Sequence, residues 1–320
     1  MDDKRNLIAA ILLSVAILLG WNFVSEKFFP TPAKPDVTKT VAGAPGATPA
    51  ATQGQPASAP PSGTPAVAAP VAKTTILPVE AALATGNRVP IETPSLAGSI
   101  NLVGARIDDI TLTKYRQTIE KNAPPVRLFA PGNSKAAYFA SVGWSAQGIE
   151  VPGPTTLWTA SGTKLTPATP VTLSWSNTTG QTFRVEYSID DKYLITAKQT
   201  IANAGSAPVA ASSFALIDRL GKPTDPHEKD SWTIHVGPTG YLDGKSVFDV
   251  DYKNLDEGGA FKYNSAAWLG FTDKYWLAAV IPAKDERVTA SITAPAADNY
   301  QTLFARDFKQ VAPGTQVSTT

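Results

Sequence analysis

Few residue types in this chain could carry chemistry, and they are spread thinly. Its 320 residues hold two histidines, His227 and His235, and no cysteine. Neutral imidazoles could form a metal pair, or His235 could act as a general base. Neither has a carboxylate cluster beside it to complete a site. His227 follows Asp225-Pro226 in a polar loop with Glu228 next to it, and His235 falls in the alternating run Trp232 to Val236, which reads as a strand. Two tripeptides echo each other, Asp191-Lys192-Tyr193 and Asp273-Lys274-Tyr275. Facing carboxylates could hydrolyse a glycoside, but turn chemistry is the simpler account: the aspartate opens a tight turn and the aromatic starts a buried strand. Trp144, Trp158, Trp175, Trp232, Trp268 and Trp276 could stack on sugar rings. Most lie in alternating runs, where a large aromatic is core. No phosphate-binding loop, dinucleotide fingerprint, nucleophile elbow or metalloprotease helix is present. The residues therefore predict no catalytic group, no metal and no cofactor.

Composition narrows the function classes further. Lys+Arg 28 against Asp+Glu 27 leaves no basic excess for nucleic acid. The absence of cysteine excludes disulfide scaffolds, thiolate zinc sites and thiol catalysis.

Three segments follow one another along the chain. Asn6 to Ser25 is 20 residues without a charge, and as a helix it would be about 30 Å long, the thickness of a bilayer core. The anchor side chains are Leu7, Ile8, Ile11, Leu12, Leu13, Val15, Ile17, Leu18, Leu19, Trp21, Phe23 and Val24. A short head with a long polar remainder behind it places the N-terminus in the cytoplasm. Gly20-Trp21-Asn22-Phe23-Val24 lacks a small-residue cleavage site, so an uncleaved anchor over residues 1–28 is expected rather than a removed signal peptide. Residues 29–76 read as a disordered Pro/Ala-rich linker. From Thr40 to Ala72 there is neither charge nor aromatic, too little apolar surface to offset the entropy of ordering.

Residues 77–320 change character to short alternating runs bounded by Gly, Pro, Asn and Asp. Ser99 to Val103, Arg106 to Tyr115, Val171 to Trp175, Thr182 to Tyr187 and Tyr193 to Ile201 read as strands. Asn177 to Gly180 and Asp190-Asp191 supply turns, and Asp243-Gly244 is a hairpin signal between Tyr241-Leu242 and Ser246 to Val250. Tyr275 to Ile281 reads as a further strand. The fold class predicted is mainly β, one large antiparallel sandwich.

Several stretches together carry a resemblance. The head Met1 to Ile8, Gly104 to Tyr115, Pro124 to Leu128, Asp190 to Tyr193, Gly237 to Gly240 and Trp268 to Trp276 stand in an order and spacing that resemble the YidC-type membrane protein insertases of Gram-negative bacteria, of the Oxa/Alb/YidC family. The resemblance implies a periplasmic β-supersandwich akin to sugar mutarotases, behind a first transmembrane helix in the inner membrane. It implies insertion and folding of nascent inner-membrane proteins, alone or beside the Sec translocon (SecYEG, SecD and SecF), with the lipid bilayer as a further partner. The working helices of that family follow the periplasmic domain, so the chain reads as an N-terminal fragment whose sandwich lacks its last segment, and no groove residue of the family falls on these positions. The alternative is a membrane-tethered carbohydrate-binding or mutarotase-like protein, with His235 and Asp273 or Glu257 as its acid and base. That alternative requires His235 and a carboxylate to converge in one open cleft.

Overall fold

The computed structural model describes residues 76–223 and 235–320. The anchor side chains, the Pro/Ala-rich tract as far as residue 75, and His227, Glu228 and Trp232 lie outside the described residues. Among the described residues no helix is long and apolar enough to cross a membrane.

Among the described residues nineteen strands make up most of the structure. The first five are β1 (Arg88–Glu92), β2 (Leu96–Asn101), β3 (Arg106–Arg116), β4 (Pro125–Phe129) and β5 (Tyr138–Ala146). A meander of β6 (Thr159–Ser161), β7 (Val171–Ser176), β8 (Gln181–Ile189) and β9 (Ile195–Asn203) follows, then the long β10 (Val209–Leu220). Next come β11 (Gly237–Leu242), β12 (Lys245–Val247), β13 (Phe261–Tyr263), β14 (Ala266–Thr272) and β15 (Leu277–Val280). The last four are β16 (Val288–Ala296), β17 (Asn299–Arg306), β18 (Lys309–Val311) and β19 (Thr315–Thr319). Two five-residue helices, α1 (Val79–Leu83) and α2 (Tyr252–Asp256), sit among them. The second is started by a reciprocal cap in which Asp251 and Asn254 each accept the other's backbone N–H.

The strands form three antiparallel sheets. The large sheet runs β1-β2-β3-β5-β10-β17-β16-β13, with β4 beside β3 and β18 beside β10; the others run β19-β9-β8-β7-β6 and β12-β11-β14-β15. β8 shows why these residues make strands: Gln181, Phe183, Val185, Tyr187 and Ile189 are buried, and the residues between them are not. Its apolar face closes on the large sheet, and the Tyr187 hydroxyl donates across the core to the carbonyl of Ala105 at 3.1 Å. Each fully buried side chain of this kind contributes about 1.5–3 kcal/mol. At Asp243-Gly244 both φ angles are positive, 48° and 78°, as the expected two-residue hairpin requires.

Three expectations are corrected. His235 is not in a strand: β11 begins at Gly237, where φ is +145°. Tyr193 and Tyr275 are exposed and precede their strands instead of opening them in the core. The cause is the strength of the turns, because the Asp190 carboxylate accepts the N–H groups of Lys192 and Leu194, and the Asp273 N–H donates to the carbonyl of Trp276. Both turns hold the chain two residues longer than the aromatic positions suggest.

Candidate binding cleft

The acidic and imidazole groups singled out from the sequence are not brought together. His235 lies within 3.0 Å of the Pro238 carbonyl through Nε2, and its ring meets Phe248 edge-on. The Asp273 carboxylate is held by Arg219, whose guanidinium also lies 4.8 Å from the centre of the Tyr138 ring. Glu257 stands exposed just past α2, with Lys253 at 3.9 Å. Asp191 offers its backbone carbonyl to Ser95. Each candidate thus has a partner of its own, local for His235 and Glu257 and from another element for Asp191 and Asp273, and no two of them share one. Among the described residues no group of three or more His, Asp or Glu side chains is placed to hold a metal.

What the echoing tripeptides do bring together is their aromatic neighbours. Tyr193, from the β8–β9 turn, hydrogen-bonds the Tyr115 hydroxyl, which raises the pKa of Tyr115 above the ordinary phenol value. Trp276, from the β14–β15 turn, meets the Tyr115 ring edge-on at 4.9 Å. These three aromatics stand at a cleft of about 790 Å³. Its floor is the large sheet, with Ile107 and Ile110 of β3, Val142 of β5 and Ile217 of β10. One wall is the first half of β9, and the other is β15 with Ile281 beyond it. The exposed apolar side chains Leu194, Leu277 and Ile281 continue the lining outward.

The polar groups at the cleft are mostly engaged. Gln199 donates to the Gly143 carbonyl at 2.8 Å, and Arg306 is paired with Glu286 while donating to the carbonyl of Thr320 at 2.5 Å. Apolar walls between two strand edges suit an extended polypeptide with apolar side chains. They offer no acid–base pair for turning over a sugar. Trp144 and Trp158 are core, stacked on each other at 6.2 Å, and among the described tryptophans only Trp276 reaches the cleft lining. Sequence reasoning missed the site. Its available signal was the apolar pair directly after each aspartate turn, Tyr193-Leu194 and Trp276-Leu277, in positions a simple turn would fill with polar residues.

With this arrangement in view, comparison with known families is decisive. The family profile described as the YidC periplasmic domain matches residues 88–320.

The chain belongs to the YidC periplasmic-domain family.

Similar proteins include the membrane protein insertase YidC of Zymomonas mobilis, 34% identical over 326 residues covering 100% of this chain and 52% of that protein. The insertase YidC of Rhizobium johnstonii is 38% identical over 99% of this chain and 53% of that protein. The chain therefore spans about half the length of the YidC relatives it matches. A solved galactose mutarotase related enzyme from Lactobacillus acidophilus shares 10% identity over 73% of this chain and 95% of that one, with a TM-score of 0.41. That score is too low to carry an argument about chemistry.

Proposed function

We propose that this chain is the N-terminal portion of a membrane protein insertase. Its anchor, Leu7 to Val24, crosses the inner membrane with residue 1 in the cytoplasm, residues 29–76 are a spacer, and residues 77–320 stand in the periplasm. The observation that carries the reading is 34–38% identity to named insertases over essentially the whole chain. The geometry supports it from the other side: the cleft is apolar, lies between two strand edges and brings no acid and base together, a lining unsuited to bond breaking. Its partners on this reading are nascent inner-membrane proteins, the bilayer and the Sec translocon. The sugar-directed alternative loses its acid–base pair, since His235 faces backbone and Asp273 faces Arg219.

The test is genetic. The complete reading frame that encodes this chain is placed in a bacterium depleted of its own insertase. Restored growth and restored insertion of an inner-membrane protein are expected, and the 320 residues by themselves should restore neither. A complete frame that fails to support insertion overturns the proposal.

A further inference from the structure

β9 has a partner on both edges for only part of its length. On one side β8 pairs with all of it, Gln181 opposite Asn203 through Ile189 opposite Ile195. On the other side β19 runs antiparallel from Thr315 opposite Asn203 to Thr319 opposite Gln199. Among the described residues no strand pairs with that edge from Lys198 back to Ile195. The Asn203 carbonyl accepts from the Gly314 N–H on the β19 side. Alternation along a strand then turns the backbone groups of Ala197 and Ile195 to the same side, into the cleft. An open edge over an apolar floor is a template for another strand.

The direction of β19 says which strand fits. It runs toward the cleft, and Thr320 is among the residues lining it. Arg306, its side chain 4% exposed, fixes that end by donating to the Thr320 carbonyl. Val317 opposite Ile201 and Thr319 opposite Gln199 face the core, so the positions facing inward continue at every second residue.

We infer that the cleft is the slot for the continuation of β19: in the longer protein, the residues following Thr320 run antiparallel along β9, opposite Ala197, Thr196 and Ile195. The inference rests on the reading that this chain is part of a longer insertase. The first residue past Thr320 stands opposite Ala197, and the third stands opposite Ile195 with its side chain entering the apolar floor. The other edge of the cleft is β15, whose one neighbour among the described residues is β14. A strand laid between them narrows the opening that separates the five-stranded from the four-stranded sheet. On this account the cleft is filled in cis, and a separate polypeptide finds only its aromatic rim.

Two preparations test this, the 320-residue chain and the same chain lengthened by the next eight residues of its own locus, both entire and in detergent micelles. Amide hydrogen exchange is read at Ile195 and Ala197. In the lengthened chain these amides should exchange about 100-fold slower than in the shorter one, approaching Ile201. Binding of an apolar fluorescent dye to the cleft should fall severalfold. The register is read separately: because the chain has no cysteine, Thr196→Cys combined with a cysteine at the second added position should oxidise to a disulfide, and with a cysteine at the first added position it should not. Equal exchange in the two chains, or a disulfide in the wrong register, overturns the slot and leaves the insertase reading standing. A stop codon directly after Thr320 overturns both.

Discussion

The two halves of β9 differ less in sequence than in what lies beside them. Gln199 to Asn203 is clamped between β8 and β19, and Ile201 is 3% exposed. Among the described residues Ile195 to Lys198 has β8 alone, and its inward side chains line an open cleft. Both halves carry β-branched residues and would be given equal strand propensity. The difference teaches that a strand's contribution to stability is decided by its second edge and the face opposite, not by its own composition. The closed half is held by long-range pairing, whereas the open half is held on one side only.

Breaking the closed half should have the largest effect. Phe183→Ala, at a fully buried position of β8, is expected to cost about 3–5 kcal/mol, while Ile195→Ala in the cleft wall costs less than about 1 kcal/mol. Denaturant midpoints measure both, and equal losses would erase the contrast. Arg306→Ala comes next. It leaves Glu286 without its buried partner and releases the Thr320 carbonyl, so a loss of about 3 kcal/mol is expected, together with faster amide exchange at Thr319.

A third measurement probes β10 on the face turned away from the cleft, where Asp218 neighbours Ile217 of the floor along the strand. Burial holds the Asp218 carboxyl at about 6, above its ordinary 3.8, with Gln301 donating to it and Arg106 nearby. The folded state thus favours the protonated form, so the group's penalty is absent below pH 4, grows between 4 and 6, and is complete above. Asp218→Asn should therefore raise stability at pH 8 by about 2 kcal/mol and change little at pH 3.5, read as melting temperature against pH. The smallest effect is expected at the rim. Leu277→Ser, at a side chain nearly half exposed, should stay within about 0.5 kcal/mol. It should still weaken dye binding to the cleft, and a large stability loss there would show that β15 is not a free edge.

Much of the fold was legible locally. β3, β7, β8 and the Asp243-Gly244 hairpin follow from alternation and turn residues, and the structure places them where those signals stand. The centre of the large sheet was not. β10 is buried at seven consecutive-to-near-consecutive interior positions such as Ser212, Ser213, Ile217 and Asp218, and β17 is buried from Tyr300 to Arg306. A strand covered on both faces loses the two-residue period that would reveal it. Leu216 and Leu303 form a small apolar cluster with Phe139 and Phe214 apart from the main core, which is why both faces of these strands are apolar. The site was less legible still. The echoing tripeptides drew attention to Asp191 and Asp273, but it was Tyr193 and Trp276 that the fold carried to Tyr115.

By itself the sequence determined the β class, the positions of the tight turns, the apolar first segment and the family, because these depend on residue types and spacings within a few positions of one another. Tertiary structure alone decided which aromatics are core and which form a rim, where His235 and Asp273 point, and that half of β9 is left, among the described residues, with an unpaired edge over an apolar floor. Those outcomes depend on residues far apart in the chain meeting across sheets, and no local pattern records which of two equally good strands will find a second neighbour.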